Sequence, residues 1–280
     1  MNKILEMKCP LIMGILNVTP DSFSDGGQYN SCEQAVIRTQ EMLKQGADII
    51  DIGGESTRPG AEPVSAAEQI QRVVPVIEKI RDEVSTQVTI SVDTTNYAVA
   101  LAALEAGANW INDVSAGEDA RKNGEERMLE LAAEKSVPII LMHRKGKSST
   151  MQNAPKYKNV VDEVKCYLND RATLACKMNI PVENIILDPG IGFGKLLEHN
   201  LALLSRLDQL VDIGFPVLLG TSRKRFIDEI CDVALPEERI AGTCATTALG
   251  INQGVNLFRV HDVKENRQAA DIAWAIKKQV

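Results

Sequence analysis

Gln45-Gly46-Ala47-Asp48-Ile49-Ile50-Asp51 sets the end of a helical run, a glycine and a short apolar stretch in immediate succession. The glycine suits the left-handed position that closes a helix, and the apolar stretch after it reads as a strand ending on a polar residue. The same order returns in Ala106-Gly107-Ala108-Asn109-Trp110-Ile111-Asn112 and in Gln253-Gly254-Val255-Asn256-Leu257-Phe258-Arg259. The chain therefore repeats a helix-to-strand unit. Further strand-like runs give eight in all, near 11–17, 48–53, 88–93, 109–113, 137–142, 184–188, 215–219 and 256–260. Amphipathic stretches long enough for helices lie between them, for example 31–45, 65–84, 125–135, 157–178 and 236–252. Eight strand-helix units over 280 residues predict a (β/α)8 TIM barrel forming a single domain, 1–280. An open doubly wound sheet is the rival arrangement.

Composition agrees with an α/β core. Hydrophobic residues make up 44% and aromatics only 4%, so the interior must be built from Ile, Leu, Val and Ala, as in strands covered by helices. A net charge of −7 argues against nonspecific binding to nucleic acid or to a membrane surface, and any anionic ligand must find local positive charge. The six cysteines form no Cys-x-x-Cys pair and have no histidine at metal-ligand spacing, which leaves free thiols of a cytoplasmic protein as the expectation. Lys3 and Lys8 before the apolar run 10–16 superficially suggest a signal peptide, but the run is short and lacks a cleavage pattern, so it reads as the first strand. No run reaches the roughly 18 apolar residues of a membrane helix.

Straight after that first strand comes Asn17-Val18-Thr19-Pro20-Asp21-Ser22-Phe23-Ser24-Asp25-Gly26-Gly27, a polar loop where a rigid scaffold would present chemistry. In a parallel barrel all such loops converge on one face. The strand ends supply Asn17, Glu55 with Ser56, Thr57 and Arg58, Asp93, Asn112 with Asp113, His143, Asp188, Ser222 with Arg223 and Lys224, and Arg259 with His261. Any one of these alone is as readily a cap or turn residue; Asp93 can cap a helix, Asp188-Pro189-Gly190 can turn, and His143 alone reads as structural. Polar groups at all eight ends are harder to assign to coincidence.

The set divides by chemistry. Asp93, Asn112 and Asp188 suit a flat heterocycle with several N–H donors and a ring carbonyl, although two carboxylates can also serve as an acid/base pair or as metal ligands. Arg58, Lys224, Arg259 and His261 are the local cations an anionic ligand requires. Ser222 is placed to cap a short helix starting near Arg223, adding backbone N–H groups to an anion site after the seventh strand.

Taken together, GILNVTPDSFSDGG (14–27), DIGGESTRPG (51–60), SVDT (91–94), IND (111–113), LMH (141–143), DPGIGFGK (188–195), LGTSRK (219–224) and RVHD (259–262) resemble dihydropteroate synthases over essentially the whole chain. That family implies a (β/α)8 barrel that joins 6-hydroxymethyl-7,8-dihydropterin diphosphate to 4-aminobenzoate in folate synthesis, the step that sulfonamides target. Residue by residue, the resemblance implies a pterin site of Asp93, Asn112, Asp188, Phe193 and Lys224. It implies a diphosphate site of Asn17, Arg259 and His261, with Asn17 also holding a magnesium ion, and an aminobenzoate site shaped by Phe23, Asp25, Thr57, Arg58 and Ser222. Catalysis would fall to Arg58, Lys224, Arg259 and His261. The family also suggests a cytoplasmic homodimer packed through its late helices. Arg225 departs from the pattern, since some relatives carry Ser there, and it could lend ionic character to the aminobenzoate contact. Two other readings stand beside this one: a pterin-dependent methyltransferase, which would have no diphosphate to neutralise, and a noncatalytic pterin-binding paralogue, which would have lost Asn17, Arg58 or His261.

Overall fold

The computed structural model describes residues 9–18, 27–55, 64–146, 151 and 155–279. Its strands are β1 (Leu11–Asn17), β2 (Ile49–Gly53), β3 (Thr89–Asp93), β4 (Trp110–Asp113), β5 (Ile139–Met142), β6 (Ile185–Asp188), β7 (Leu218–Leu219) and β8 (Leu257–Val260). They pair in parallel in the order β6-β5-β4-β3-β2-β1-β8-β7. A bridge between Leu187 and Val217, with the Leu187 N–H donating to the Pro216 carbonyl at 2.9 Å, joins the two ends of that order. The sheet is thus a nearly closed (β/α)8 barrel, not an open sheet. β7 is shorter than the expected 215–219 because Pro216 has no N–H to offer a ladder.

The helices run α1 (Gly27–Lys44), α2 (Ala66–Glu83), α3 (Tyr97–Glu105), α4 (Arg127–Lys135), α5 (Val160–Lys177), α6 (Leu197–Leu204), α7 (Asp208–Val211), α8 (Arg225–Cys231), α9 (Ile240–Asn252) and α10 (Val263–Lys277). Gly46, Gly107 and Gly254 take the left-handed backbone that the sequence repeat requires, with φ of +98°, +114° and +99°. The repeat has a second purpose. Asp48, Asn109 and Asn256, each two residues after its glycine, accept through their side chains the backbone N–H of Ile12, Ile90 and Val217 at 2.8, 2.7 and 3.4 Å. Each unit therefore ends its helix and clamps the start of an adjoining strand with the same short motif.

Side-chain alternation sorts the strands into two faces. Outward residues such as Ile50, Ile52, Val92, Ile111, Leu141, Leu187 and Phe258 form the layer under the helices. Inward residues Leu11, Met13, Ile49, Ile140, Ile186, Leu218 and Leu257, with Trp110 against them, fill the lower barrel as a separate apolar plug. Above that plug the inward positions turn polar, and the candidate site residues sit there.

Candidate active site

Parallel register lines up Asn17 with Gly53, Gly53 with Asp93, and Asp93 with Asn112. A Cβ placed on Gly53 would lie 3.5 Å from Asp93 Cβ and 3.7 Å from Asn17 Oδ1, so these side chains share one hollow. Across it, Arg259 from β8 donates through Nε to Asp51 Oδ2 at 2.6 Å and through Nη2 to Asp93 Oδ2 at 2.7 Å. Asn112 Nδ2 donates to the same Asp51 oxygen at 3.0 Å. A Cβ on Gly220 would stand 4.0 Å from both Arg259 Cβ and Asp188 Oδ2, which brings Asp188 to this wall.

Asp188 is set by the turn that follows β6. Its Oδ1 accepts the Gly190 N–H at 2.7 Å, while its carbonyl accepts the His143 N–H at 2.9 Å. Gly190 has φ +64°, and a Cβ there would lie 1.9 Å from the His143 carbonyl oxygen, so no other residue fits. Lys195 ties the turn together from beneath. It is 2% exposed, and its Nζ reaches the carbonyls of Gly190, Phe193 and His143 at 2.8, 3.1 and 3.2 Å and His143 Nδ1 at 2.9 Å. His143 is accordingly structural, and burial together with Lys195 pushes it down to about 3, neutral at any working pH. Lys224 folds back over this turn: its Nζ donates to the Ile191 carbonyl and stands 4.6 Å from the Phe193 ring centroid. Asp93, Asn112, Asp188, Phe193 and Lys224 thus occur together around one cup.

Burial governs the charges. It raises Asp93 above the ordinary carboxylate range, with Arg259 opposing and Asp51 reinforcing. It raises Asp188 as well, against the pull of Lys224, and it lowers Lys224 to about 8 against the pull of Asp188. Asp51 Oδ1, Ser91 Oγ and Asp93 Oδ1 are buried with no hydrogen-bond partner among the described residues. Buried polar atoms in native folds are nearly always paired, so such a cluster marks where a ligand donor or acceptor gains most.

Several sequence-derived expectations change. Ser222 does not cap a helix at Arg223: Arg223 has a left-handed φ of +58°, α8 starts two residues later, and its cap position makes no side-chain bond. The Ser222 hydroxyl instead accepts the His261 N–H at 3.0 Å and pairs with His261 Nδ1 at 2.9 Å, joining the ends of the seventh and eighth strand units. Arg223 donates through its Nε to Asp262 at 3.0 Å. Asp113 points away from the cup, accepting from the Ser115 N–H, the Ser115 hydroxyl and the Gly117 N–H, and burial raises it to about 6. Glu55 accepts from the Val64 N–H and from Gln69 Nε2 at the end of the second loop. Arg225, 84% exposed, pairs with Glu229 at 2.9 Å on the surface of α8. Phe23, Asp25, Thr57 and Arg58 lie outside the described residues.

Asp51 and Lys195 are the residues that sequence reasoning passed over. Asp51 carried a usable signal, a carboxylate inside an apolar run two positions before Gly53, on the inward phase of its strand. Lys195 carried none that separates it from a surface lysine in a glycine-rich turn.

Magnesium prefers hard oxygen ligands and is usually held by one or two protein groups plus substrate phosphates rather than by a protein cage. The Asn17 amide oxygen at the cup mouth fits that mode, and no cluster of three or more His, Cys, Asp or Glu suited to a metal occurs among the described residues. No helix among the described residues is long and apolar enough to cross a membrane.

A family model described as "Pterin binding enzyme" matches residues 13–261. The dihydropteroate synthase of Bacillus subtilis strain 168 is 48% identical, over 95% of this chain and 88% of that protein. Among solved structures, dihydropteroate synthase of Xanthomonas albilineans with 4-aminobenzoic acid superposes with a TM-score of 0.87 at 43% identity, covering 98% of this chain and 94% of that one. The same enzyme in complex with 7,8-dihydropteroate superposes with a TM-score of 0.84 at 40% identity, covering 98% and 95%. With its barrel, its strand-end polar cup and these relatives, the chain belongs to the pterin-binding enzyme family, among the dihydropteroate synthases.

Proposed function

We propose that this chain, as one pterin-binding domain, condenses 6-hydroxymethyl-7,8-dihydropterin diphosphate with 4-aminobenzoate to give 7,8-dihydropteroate and diphosphate. The observation that carries the reading is the joint presence of Asp93, Asn112, Asp188 and Lys224 around a buried cup that also holds Arg259. Acceptors of this kind suit the N–H edge of a pterin, and the donor Lys224 suits its ring nitrogen or carbonyl.

Diphosphate departs readily once the charge growing on its oxygens is answered, and Arg259 and His261, on alternate positions of the last strand unit, are the cations for that work. Ser222, bonded to the His261 ring, keeps the imidazole turned for it. Asn17 would hold a magnesium ion shared with the diphosphate, and that ion would supply further charge neutralisation. As the carbon–oxygen bond breaks with its electron pair going to diphosphate, the electron-rich pterin delocalises positive charge from the methylene carbon. The arylamine nitrogen then bonds to that carbon and releases a proton, a sufficient nucleophile without a strong base. Phe23, Asp25, Thr57 and Arg58 would shape the aminobenzoate site with Ser222, and Arg58 would join Lys224, Arg259 and His261 in catalysis.

The assembly is proposed as a cytoplasmic homodimer. Leu249 on α9 and Ile272 and Ile276 on α10 are 61%, 65% and 64% exposed, an apolar face of the kind a second copy would cover.

The test is incubation with the dihydropterin diphosphate, labelled 4-aminobenzoate and magnesium while dihydropteroate is monitored. Product that requires both substrates supports the reading. Methyl transfer, or pterin binding without product, would favour one of the two rivals.

A further inference from the structure

We infer that Asp51 is a positioning residue for pterin recognition, acting through Asn112 and Arg259 rather than through the ligand; this rests on the pterin reading above. One oxygen of a fully buried carboxylate receives both Asn112 Nδ2 at 3.0 Å and Arg259 Nε at 2.6 Å. The two donors belong to strands on opposite sides of β2.

The Asn112 amide has two ends of nearly equal shape and opposite polarity. Which end faces the cup decides whether the ligand meets an acceptor or a donor. Asp51 settles this. The carboxylate oxygen that takes the Arg259 Nε–H is an acceptor, so the Asn112 atom turned toward it must be the donor Nδ2. Asn112 is therefore committed to presenting Oδ1 to the other side, as an acceptor beside Asp93. The same carboxylate oxygen fixes the inner edge of Arg259, whose Nη2 then falls on Asp93. Asp51 in this way sets the polarity of one pterin contact and the position of the cation beside a second.

A residue that merely stabilises the barrel would lower stability and leave the specific contacts independent. A positioning residue makes them depend on one another. The experiment is calorimetric titration of 6-hydroxymethyl-7,8-dihydropterin, without diphosphate, into wild type, Asp51→Ala, Asp51→Asn, Asn112→Ala and the double variant Asp51→Ala with Asn112→Ala. A lost hydrogen bond to a charged group in a buried site corresponds to about tenfold or more in affinity. Asp51→Ala should therefore weaken pterin binding about tenfold or more, while Asp51→Asn, which keeps an acceptor, should retain most of it. In the Asn112→Ala background, the further loss from Asp51→Ala should shrink by about threefold or more, leaving the part that acts through Arg259. An undiminished loss in that background would overturn the assignment.

If Asp51→Ala does not fold, the reciprocal exchange carries the test. Asn112→Asp alone sets two carboxylates against each other and should weaken binding about tenfold; adding Asp51→Asn restores a donor–acceptor pair and should recover most of it. No recovery would overturn the assignment. Failure of the wild type to bind the pterin at all would instead bring down the functional reading, and this inference with it.

Discussion

Arg259 on β8 and Asp93 on β3 are joined across the barrel by a 2.7 Å bond from Nη2 to Oδ2, although 166 residues separate them in sequence. The cation that the family resemblance implies for diphosphate therefore also lies against the acceptor floor. Removing it would leave two buried carboxylates uncompensated, since Asp51 leans on the same guanidinium.

Arg259→Ala is thus expected to cost stability as well as turnover. Breaking a buried ion pair by deleting one partner costs about 3 kcal/mol or more. The pH dependence has a definite sign. Burial raises Asp93 above its unfolded value, so folding favours its protonated form, and the stability linked to it is full at low pH and lost as pH rises through the folded value of about 7. Denaturant unfolding should show a larger deficit for Arg259→Ala near pH 8 than near pH 5, and an equal deficit at both would contradict the pairing.

Lys224 makes a prediction about activity. Burial lowers its amine to about 8, so it loses charge at a pH where an ordinary lysine would keep it. The alkaline limb of kcat/KM should fall through that region, and Lys224→Arg, which stays charged, should shift the limb upward whatever its absolute rate. A limb unchanged in Lys224→Arg would mean that some other group titrates.

Two glycines separate strain from collision. Gly214 has φ +96° with nothing within 4 Å of an added Cβ, whereas Gly190 has φ +64° and the His143 carbonyl in the way. Gly214→Ala should cost about 1 kcal/mol of unfolding free energy. Gly190→Ala should cost more and should also weaken pterin binding, because the turn bearing Asp188 and Phe193 must move. Comparable losses, with pterin affinity intact, would argue that this turn does not shape the cup.

Ser222→Ala tests the tie to His261. The His261 N–H would lose its acceptor and the imidazole its partner, each a modest term of about 1 kcal/mol or more. Turnover should fall about tenfold, with pterin affinity preserved. A matching fall in pterin affinity would place Ser222 with the pterin contacts instead.

The barrel was legible because its signals are local. Gly46, Gly107 and Gly254 mark three helix ends at which the chain needs a left-handed residue, and the apolar runs after them mark strands with both faces buried. The cup was legible only to the resolution of strand ends. Glu55 and Asp113 are polar and sit at strand ends, yet one serves its loop and the other the outer face, because alternation across a strand decides direction and a one-residue shift reverses it. Asp51 sits in mid-strand rather than at a strand end, so its signal lay in the inward phase of an apolar run. The partners of Arg259, Ser222 and Lys195 were hidden, being set by closure of the ring and by the turn after β6, which no stretch of sequence contains by itself.

The central claim is that Asp188 and its neighbours form one cup that reads a pterin. Calorimetric titration of 6-hydroxymethyl-7,8-dihydropterin into wild type and Asp188→Asn tests it most directly. One pterin bound per chain, with affinity lowered about tenfold or more in Asp188→Asn, is the predicted result; equal affinity in the two proteins would contradict it.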